Sequence, residues 1–399
     1  MKILFISQYF YPENLRINDF VFSLKKRGHH IEVLTGKPNY PSGIYAKGYS
    51  WGDPSFEVIN KVPVYRTNLF LRRSGNGLRL ILNYLSFVYF GFFRLVKLKG
   101  HFDKVFIYAP SPITVGLLGI IAAKKFKCKS YLWIHDLWPE SVKVAGGINN
   151  KFILGMIDQM TRFIYKKNDV LLIQSPFFKK YLEKQKVDLK KVIYYPYYAE
   201  TFYKRVSYSI KVKNKFPEGF NVLFAGNIGT AQSFDTIVEA IDLIKKEQIN
   251  IIVLGDGRDK ERLQEKIKTL GLSHKFHFLG SHPPERMPEY FAVADALLIT
   301  LKKAEIFSYT IPGKLQSYLA CGKPIIGALD GIGKKIIEDS NSGLCSDAED
   351  IVELSGNILK MYKMSSNELL THGENGLEYF NNNFNKEKLL NDFEVILKG

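Results

Sequence analysis

The residues of this chain best suited to chemistry gather in three places. In AGNIGTAQSFD, an apolar stretch over 221–225 runs into Gly226, Asn227 and Gly229 before a helical pattern begins near Phe234. Glycines there let backbone N–H groups approach a phosphate, and the start of the following helix favours negative charge. A tight turn with no ligand is the alternative. In SYTIPGKLQSYLACGKPII, Pro312 and Gly313 open a helix and Lys314 falls in its first turn. The helix dipole disfavours a cation at that end, so Lys314 calls for an anion such as a diphosphate, unless it simply reaches solvent. In WIHDLWPES, a strand over 129–134 delivers His135 and Asp136 to its C-terminal end. A carboxylate there could accept a proton from an attacking hydroxyl; it could equally cap the next helix beside Pro139. His135 either orients substrate or packs.

Weaker signals surround these. GDGRDKERL offers a second glycine turn, with Gly255 and Gly257 ahead of Arg258. YFYPENLRINDF sets Glu13, Asn14, Arg16 and Asn18 in the loop and helix start after the first strand, where Arg16 could bind an acceptor phosphate. By position alone, Thr310 joins the donor set and Glu140 the acceptor set. No D-x-D pattern suited to a metal follows a strand, so no metal is expected.

The elements that must position these residues are short apolar runs alternating with helical patterns, the signature of βαβ units and parallel sheets. KILFISQ, HIEVLTG, KVFIYAP, KSYLWIHD, DVLLIQS and KVIYYPY are the expected strands of the first half, with helical spacing over 16–27, 113–126 and 149–166. Residues 198–219 break the rhythm with charge, Pro217 and Gly219, and read as a linker. A second series follows: NVLFAGN, INIIVLGDG, KFHFLGS, ALLITL and PIIGAL. The expectation is an α/β chain of two doubly wound, Rossmann-like domains, 1–197 and 220–384, with a last helix over 385–399 that could pack on either. In such sheets ligands sit beyond the C-terminal strand ends, where the residues above fall.

Length and composition agree. A chain of 399 residues is comfortable for two domains, and its 46% hydrophobic content excludes global disorder. Its formal charge of +17 attracts polyanions. No zinc-finger spacing, RRM signature or basic heptad helix accompanies the charge, so nucleic acid is not the expected partner. Cys128, Cys321 and Cys345 are far apart, which points to a reducing compartment without a metal cluster. The apolar start, MKILFIS, is too short for a signal peptide and reads as a buried first strand. Residues 78–98, LRLILNYLSFVYFGFFRLVKL, are strongly apolar with Arg79, Arg94 and Lys97 near the ends. The uncharged portion, Leu80 to Phe93, is shorter than the roughly 20 residues needed to span a bilayer. It is expected to lie in the membrane interface, the alternative being a buried helix.

Taken together these blocks resemble glycosyltransferase family four, retaining enzymes of the GT-B fold with two Rossmann-like domains facing a cleft. The similarity runs over nearly the whole chain. FYPENLRIND, GKPNYPSG, NYLSFV, PSPITVG, DLWPES, FAGNIGTAQSFDT, IPGKLQSYLACGKPI and ALDG are similar to a narrower group, the WbuB-like N-acetyl-L-fucosamine transferases of bacterial O-antigen and capsule assembly. The resemblance implies a UDP-sugar donor held by the second domain, a lipid-diphosphate-linked saccharide acceptor on the first, and no metal or other cofactor. It also implies a cytoplasmic protein peripherally attached to the inner face of an anionic membrane. The leaving diphosphate would be stabilised by the helix dipole, backbone amides and Lys314, with Asp136 as base.

This sequence departs from the broader family's donor signature. Tyr309 and Ser317 stand where two Glu are usual, and Asn227 and Gln232 where an Arg and a Lys are usual. Gln316 or Ser317 is then expected to hold the ribose. The missing acidic pair leaves open a non-catalytic sugar-nucleotide-binding subunit, and the shared architecture a UDP-sugar 2-epimerase.

Overall fold

The computed structural model describes residues 1–73, 77–146 and 150–399. They form two compact units: Met1–Tyr195 together with Val395–Gly399, and Pro196–Glu394.

Unit 1 runs β1 (Lys2–Ile6), α1 (Arg16–Lys26), β2 (His30–Gly36), β3 (Phe56–Ile59), β4 (Val62–Thr67), α2 (Gly77–Lys97) and β5 (Lys104–Ala109). It continues with α3 (Val115–Phe126), β6 (Lys129–Ile134), α4 (Glu140–Gly146), α5 (Lys151–Lys167), β7 (Val170–Ile173), α6 (Phe178–Lys184) and β8 (Val192–Tyr194). Its sheet has the order β3-β4-β2-β1-β5-β6-β7-β8. Only the β3–β4 pair is antiparallel. Strands covered on both faces need apolar residues at every position, which is why KVFIYA and KSYLWI read as continuous runs. The abundant aromatics fill this core. Phe5 meets Phe106 at 4.9 Å, Phe20 meets Trp133 at 5.4 Å, and the Trp133 indole donates to the Tyr195 carbonyl at 3.0 Å.

Unit 2 contains α7 (Ile210–Lys213), β9 (Phe220–Ala225), α8 (Phe234–Leu243), β10 (Ile249–Leu254), α9 (Lys260–Thr269), β11 (Phe276–Gly280), α10 (Met287–Val293) and β12 (Ala296–Thr300). Then come α11 (Glu305–Tyr309), α12 (Gly313–Ala320), β13 (Ile325–Ala328), α13 (Ile332–Asp339), β14 (Gly343–Ser346), α14 (Ile351–Tyr362), α15 (Ser366–Asn383) and α16 (Lys386–Lys398). All strands of this sheet are parallel, in the order β11-β10-β9-β12-β13-β14.

Both units are doubly wound α/β domains, as expected. In unit 1 the winding reverses between β1 and β5, and in unit 2 between β9 and β12, which opens a crevice beyond the C-terminal ends of those strands.

One expectation needs correction, and two features go beyond the expected elements. The β3–β4 hairpin was not foreseen; its signal is the Asn60-Lys61 turn, both residues at positive φ, where glycine would be the usual clue. Residues 198–219 are part of unit 2 and no free linker. Val212 is buried, the Tyr203 ring stacks on Phe291, and Lys215 Nζ donates to Tyr290 Oη at 2.9 Å. The final helix divides: Val395–Gly399 belong to unit 1, where Lys129 Nζ donates to the Gly399 carbonyl at 3.0 Å. Asn149, the first residue of one expected helical stretch, lies outside the described residues.

Candidate active site

In unit 2 the site grows from β9. Every residue of that strand is buried, so the chain arrives rigidly at Gly226, which lies at φ +143°. The 226–228 loop is held from below by the next strand's end. Gly226 N donates to the Leu254 carbonyl at 2.9 Å and Ile228 N to the Asp256 carbonyl at 2.8 Å. That approach is possible only because Gly255 and Gly257 lack side chains. A Cβ at Gly255 would lie 1.9 Å from the Gly226 oxygen, and one at Gly257 2.0 Å from the Ile228 oxygen. These two glycines therefore let the loop after β9 be held from behind. Asn227 is exposed, with its amide beside Gly229, and Arg258 is exposed beyond the second turn.

Lys314 reaches this loop from the first turn of α12. Its Nζ donates to Gln232 Oε1 at 2.5 Å, lies 4.0 Å from the centre of the Phe224 ring, and would stand 3.1 Å from a Cβ on Gly226. Burial pulls its pKa down to about 7. An ammonium at a helix N-terminus, desolvated and met by a neutral amide and a ring face, is placed to gain from a bound anion. Gly313, exposed at the helix start, leaves that terminus open.

The ribose expectation is not supported at Gln316 or Ser317. Gln316 is buried and its Nε2 donates to the Tyr197 carbonyl at 2.8 Å, while Ser317 is buried and bonds back to the Gly313 carbonyl. Both side chains serve the packing of α12. Thr310 likewise bonds back to the Ile306 carbonyl. A carboxylate does stand nearby: Glu305 accepts the hydroxyl of Tyr309, the residue at the first usual Glu position. Sequence spacing missed it because it arrives one helical turn earlier.

In unit 1 the residues converge beyond β1, β5 and β6. Asp136 follows β6 and is hydrogen-bonded to Ser111, which follows β5. Burial pushes its carboxyl up to about 6, against the lowering effect of that bond. It thus stays mostly ionised at neutral pH yet is basic enough to take a proton. Ser111 is also hydrogen-bonded to Tyr84 of α2, whose ring faces Trp138 at 5.9 Å. Ser111 and Tyr84 escaped the sequence reading, although Ser111 obeys the strand-end rule.

His135 is buried between the rings of Trp133 and Tyr108, with centroids 4.5 and 4.7 Å away. Burial first, and then the charge of Arg16, hold it well below the usual imidazole range, so it is neutral at pH 7. Arg16, at the start of α1, thus acts electrostatically on His135 at the end of β6, and Asp136 follows His135 in the chain. Asn14 is exposed in the preceding loop, and Glu140 is exposed at the start of α4.

Glu13 and Asn18 are corrected. Glu13 is only 5% exposed. Its carboxylate accepts from the backbone amides of Phe10 at 3.0 Å, Asn39 at 2.8 Å and Tyr40 at 2.7 Å. Asn18 accepts from Tyr11 N at 2.9 Å and donates to the Glu13 carbonyl at 2.6 Å. Together they tie the loops after β1 and β2 through backbone groups. Among the described residues no group of three or more His, Cys, Asp or Glu is placed to hold a metal ion.

Residues 208–379 match the family described as Glycosyl transferases group 1. The putative colanic acid biosynthesis glycosyl transferase WcaI of Escherichia coli K12 is 23% identical over 419 residues, covering 100% of both chains. The alpha-monoglucosyldiacylglycerol synthase of Acholeplasma laidlawii is 24% identical over 370 residues, 86% of this chain and 84% of its own. Among solved structures, HepE of Anabaena in complex with UDP superposes with a TM-score of 0.72 at 14% identity, covering 100% of both chains. The second unit thus carries a glycosyl transferases group 1 domain on a GT-B fold, and the chain is a glycosyltransferase.

Proposed function

We propose that this enzyme transfers an N-acetylated deoxy-amino sugar, N-acetyl-L-fucosamine in the reading its WbuB-like blocks favour, from its UDP derivative to an undecaprenyl-diphosphate-linked saccharide. The product would enter capsule or O-antigen synthesis at the cytoplasmic face of the membrane. The observation that carries the donor half is Lys314, a desolvated cation at a helix N-terminus beside the 226–229 loop, at the point where the unit 2 sheet reverses its winding. A nucleoside diphosphate supplies the anion that this arrangement lacks, and HepE, of the same fold, has been solved with UDP and with UDP-glucose.

In this mechanism the diphosphate leaves against Lys314, the backbone amides after β9 and the α12 terminus, with no metal and no covalent nucleophile. The acceptor hydroxyl attacks from the face the nucleotide leaves, giving retention. Asp136 takes the hydroxyl proton, and Arg16 meets the acceptor's lipid diphosphate. The lipid-linked acceptor draws support from the apolar helix α2, and the biosynthetic setting from the relative named for colanic acid.

The test is incubation of the protein with UDP-N-acetyl-L-fucosamine and an undecaprenyl-diphosphate-linked amino sugar, reading the lipid product by mass. Gain of one deoxy-amino-sugar unit, unchanged by EDTA, is expected. Gain only with another UDP-sugar would overturn the donor assignment, and no gain with any UDP-sugar would overturn the proposal.

A further inference from the structure

In unit 1, α2 and α3 pack on the sheet, and α3 packs in turn against both α2 and α5. Glycines set the spacing: a Cβ at Gly91 of α2 would lie 2.6 Å from Leu118 of α3, and one at Gly116 of α3 2.5 Å from Ile164 of α5. The inner side of this layer is ordinary core. Its outer side is not.

Along α2, Leu82, Leu85, Tyr89, Phe92, Phe93 and Val96 are all exposed, at a spacing that places them on one stripe. Along α5, Phe152 is 77% exposed and Met156 59% exposed, with Ile153 and Phe163 open beside them. Two helices that share a neighbour thus both turn apolar, partly aromatic stripes outward. Exposed apolar stripes of this size on neighbouring helices mark an interaction site.

The charge pattern selects the partner. Basic residues number three in α2 (Arg79, Arg94, Lys97), two in α3 (Lys124, Lys125) and four in α5 (Lys151, Arg162, Lys166, Lys167), against a single acidic residue, Asp158. Asp158 is itself paired with Arg162 at 2.8 Å. Lys125 and Arg94 are held by backbone carbonyls, but apolar stripes amid the remaining cations fit an anionic bilayer, whose headgroups take the other lysines while the aromatic stripes enter the acyl boundary.

By length and composition α2 could cross a membrane. Its inner face argues otherwise: Asn83 is buried, accepts from Gln8 at 2.7 Å and donates to the Phe70 carbonyl at 2.6 Å, and Phe87 and Leu95 are fully buried. Crossing would break that packing and carry Asn83 into hydrocarbon, so the helix lies flat.

The geometry points to a two-helix docking face, α2 together with α5, that seats unit 1 on an anionic lipid surface. This rests on the lipid-linked acceptor proposed above and adds α5 as the second limb. The experiment is flotation of the full chain with vesicles of phosphatidylglycerol mixed equally with phosphatidylcholine, at low salt. Phe152→Glu, Met156→Glu and Phe163→Glu are combined in one variant, and Leu85→Glu with Tyr89→Glu in a second. All changed positions are exposed, and unchanged Tm and UDP binding confirm that each variant folds. Each is expected to lose roughly tenfold or more in vesicle affinity. If the α5 variant binds as tightly as the parent, α5 is not a limb and the inference falls. It falls also if the parent ignores the vesicles, or if the stripes instead bury against a second copy, seen as a concentration-dependent dimer that the substitutions abolish. Vesicle binding without transfer would sink the proposed function and leave the docking face standing; transfer to detergent-solubilised acceptor without vesicle binding would do the reverse.

Discussion

At the scale of single residues, Asp136 in unit 1 and Lys314 in unit 2 carry opposed titrations. Asp136, raised to about 6, must be deprotonated to act as a base, so activity should rise as pH passes through about 6. Lys314, lowered to about 7, must be protonated to hold a diphosphate, so kcat/KM should fall as pH rises through about 7. A narrow bell between those limits is expected for kcat/KM. The basic limb should move up in kcat, because the bound diphosphate restores the ammonium. Asp136→Asn should leave UDP affinity intact while lowering kcat and removing the acidic limb; unchanged turnover would take Asp136 out of the mechanism. Lys314→Ala should cost about a hundredfold or more in kcat/KM, as loss of one preorganised charge contact does. The places of Lys314 and Asp136, a cation at a helix start and a carboxylate at a strand end, were legible because the element boundaries are. Glu13, Asn18 and Gln316 were misread because their partners are backbone groups of other loops, which the sequence does not display.

At the scale of elements, apolar strand runs and glycine turns were readable because burial on both sheet faces dictates them. The edge strand β14 is only four residues, GLCS, and partly exposed, so it gave no such signal. The same physics makes the β9 and β10 loop ends interdependent. Gly255→Ala would put a Cβ against the Gly226 oxygen at a φ of +145°, and should lower both Tm and UDP affinity although residue 255 needs touch no ligand. Unchanged calorimetric UDP binding would show that the loop tolerates the shift. The ends of α2 and α5 share another device. Lys125 Nζ donates to the carbonyls of Leu95, Val96 and Leu98, and Lys191 Nζ to those of Tyr165, Lys166 and Asn168. These lysines satisfy last-turn carbonyls that the helices cannot pair themselves, at ends where the dipole favours a cation.

At the scale of the whole molecule, the charge of +17 overstates what a membrane meets, since lysines such as Lys125 and Lys191 are occupied by carbonyls. Vesicle binding should nonetheless weaken as salt rises and the Debye length shrinks, with the apolar contribution persisting; flotation across a salt series reads both. The depressed Lys314 has a consequence for covalent chemistry. An amine with a pKa of about 7 is about half unprotonated nucleophile at neutral pH, while an ordinary surface lysine is almost wholly ammonium. Lys37, Lys125, Lys191 and Lys323 are also lowered by burial, but the first three each hold Nζ against three carbonyls, and Lys323 donates to the Ala292 carbonyl at 3.3 Å and feels the opposing charge of Asp295. A phosphate-bearing aldehyde should therefore form its imine at Lys314 ahead of the rest, and UDP should shield it, so that a single reduced adduct on one peptide would report occupancy of the donor site without any acceptor present.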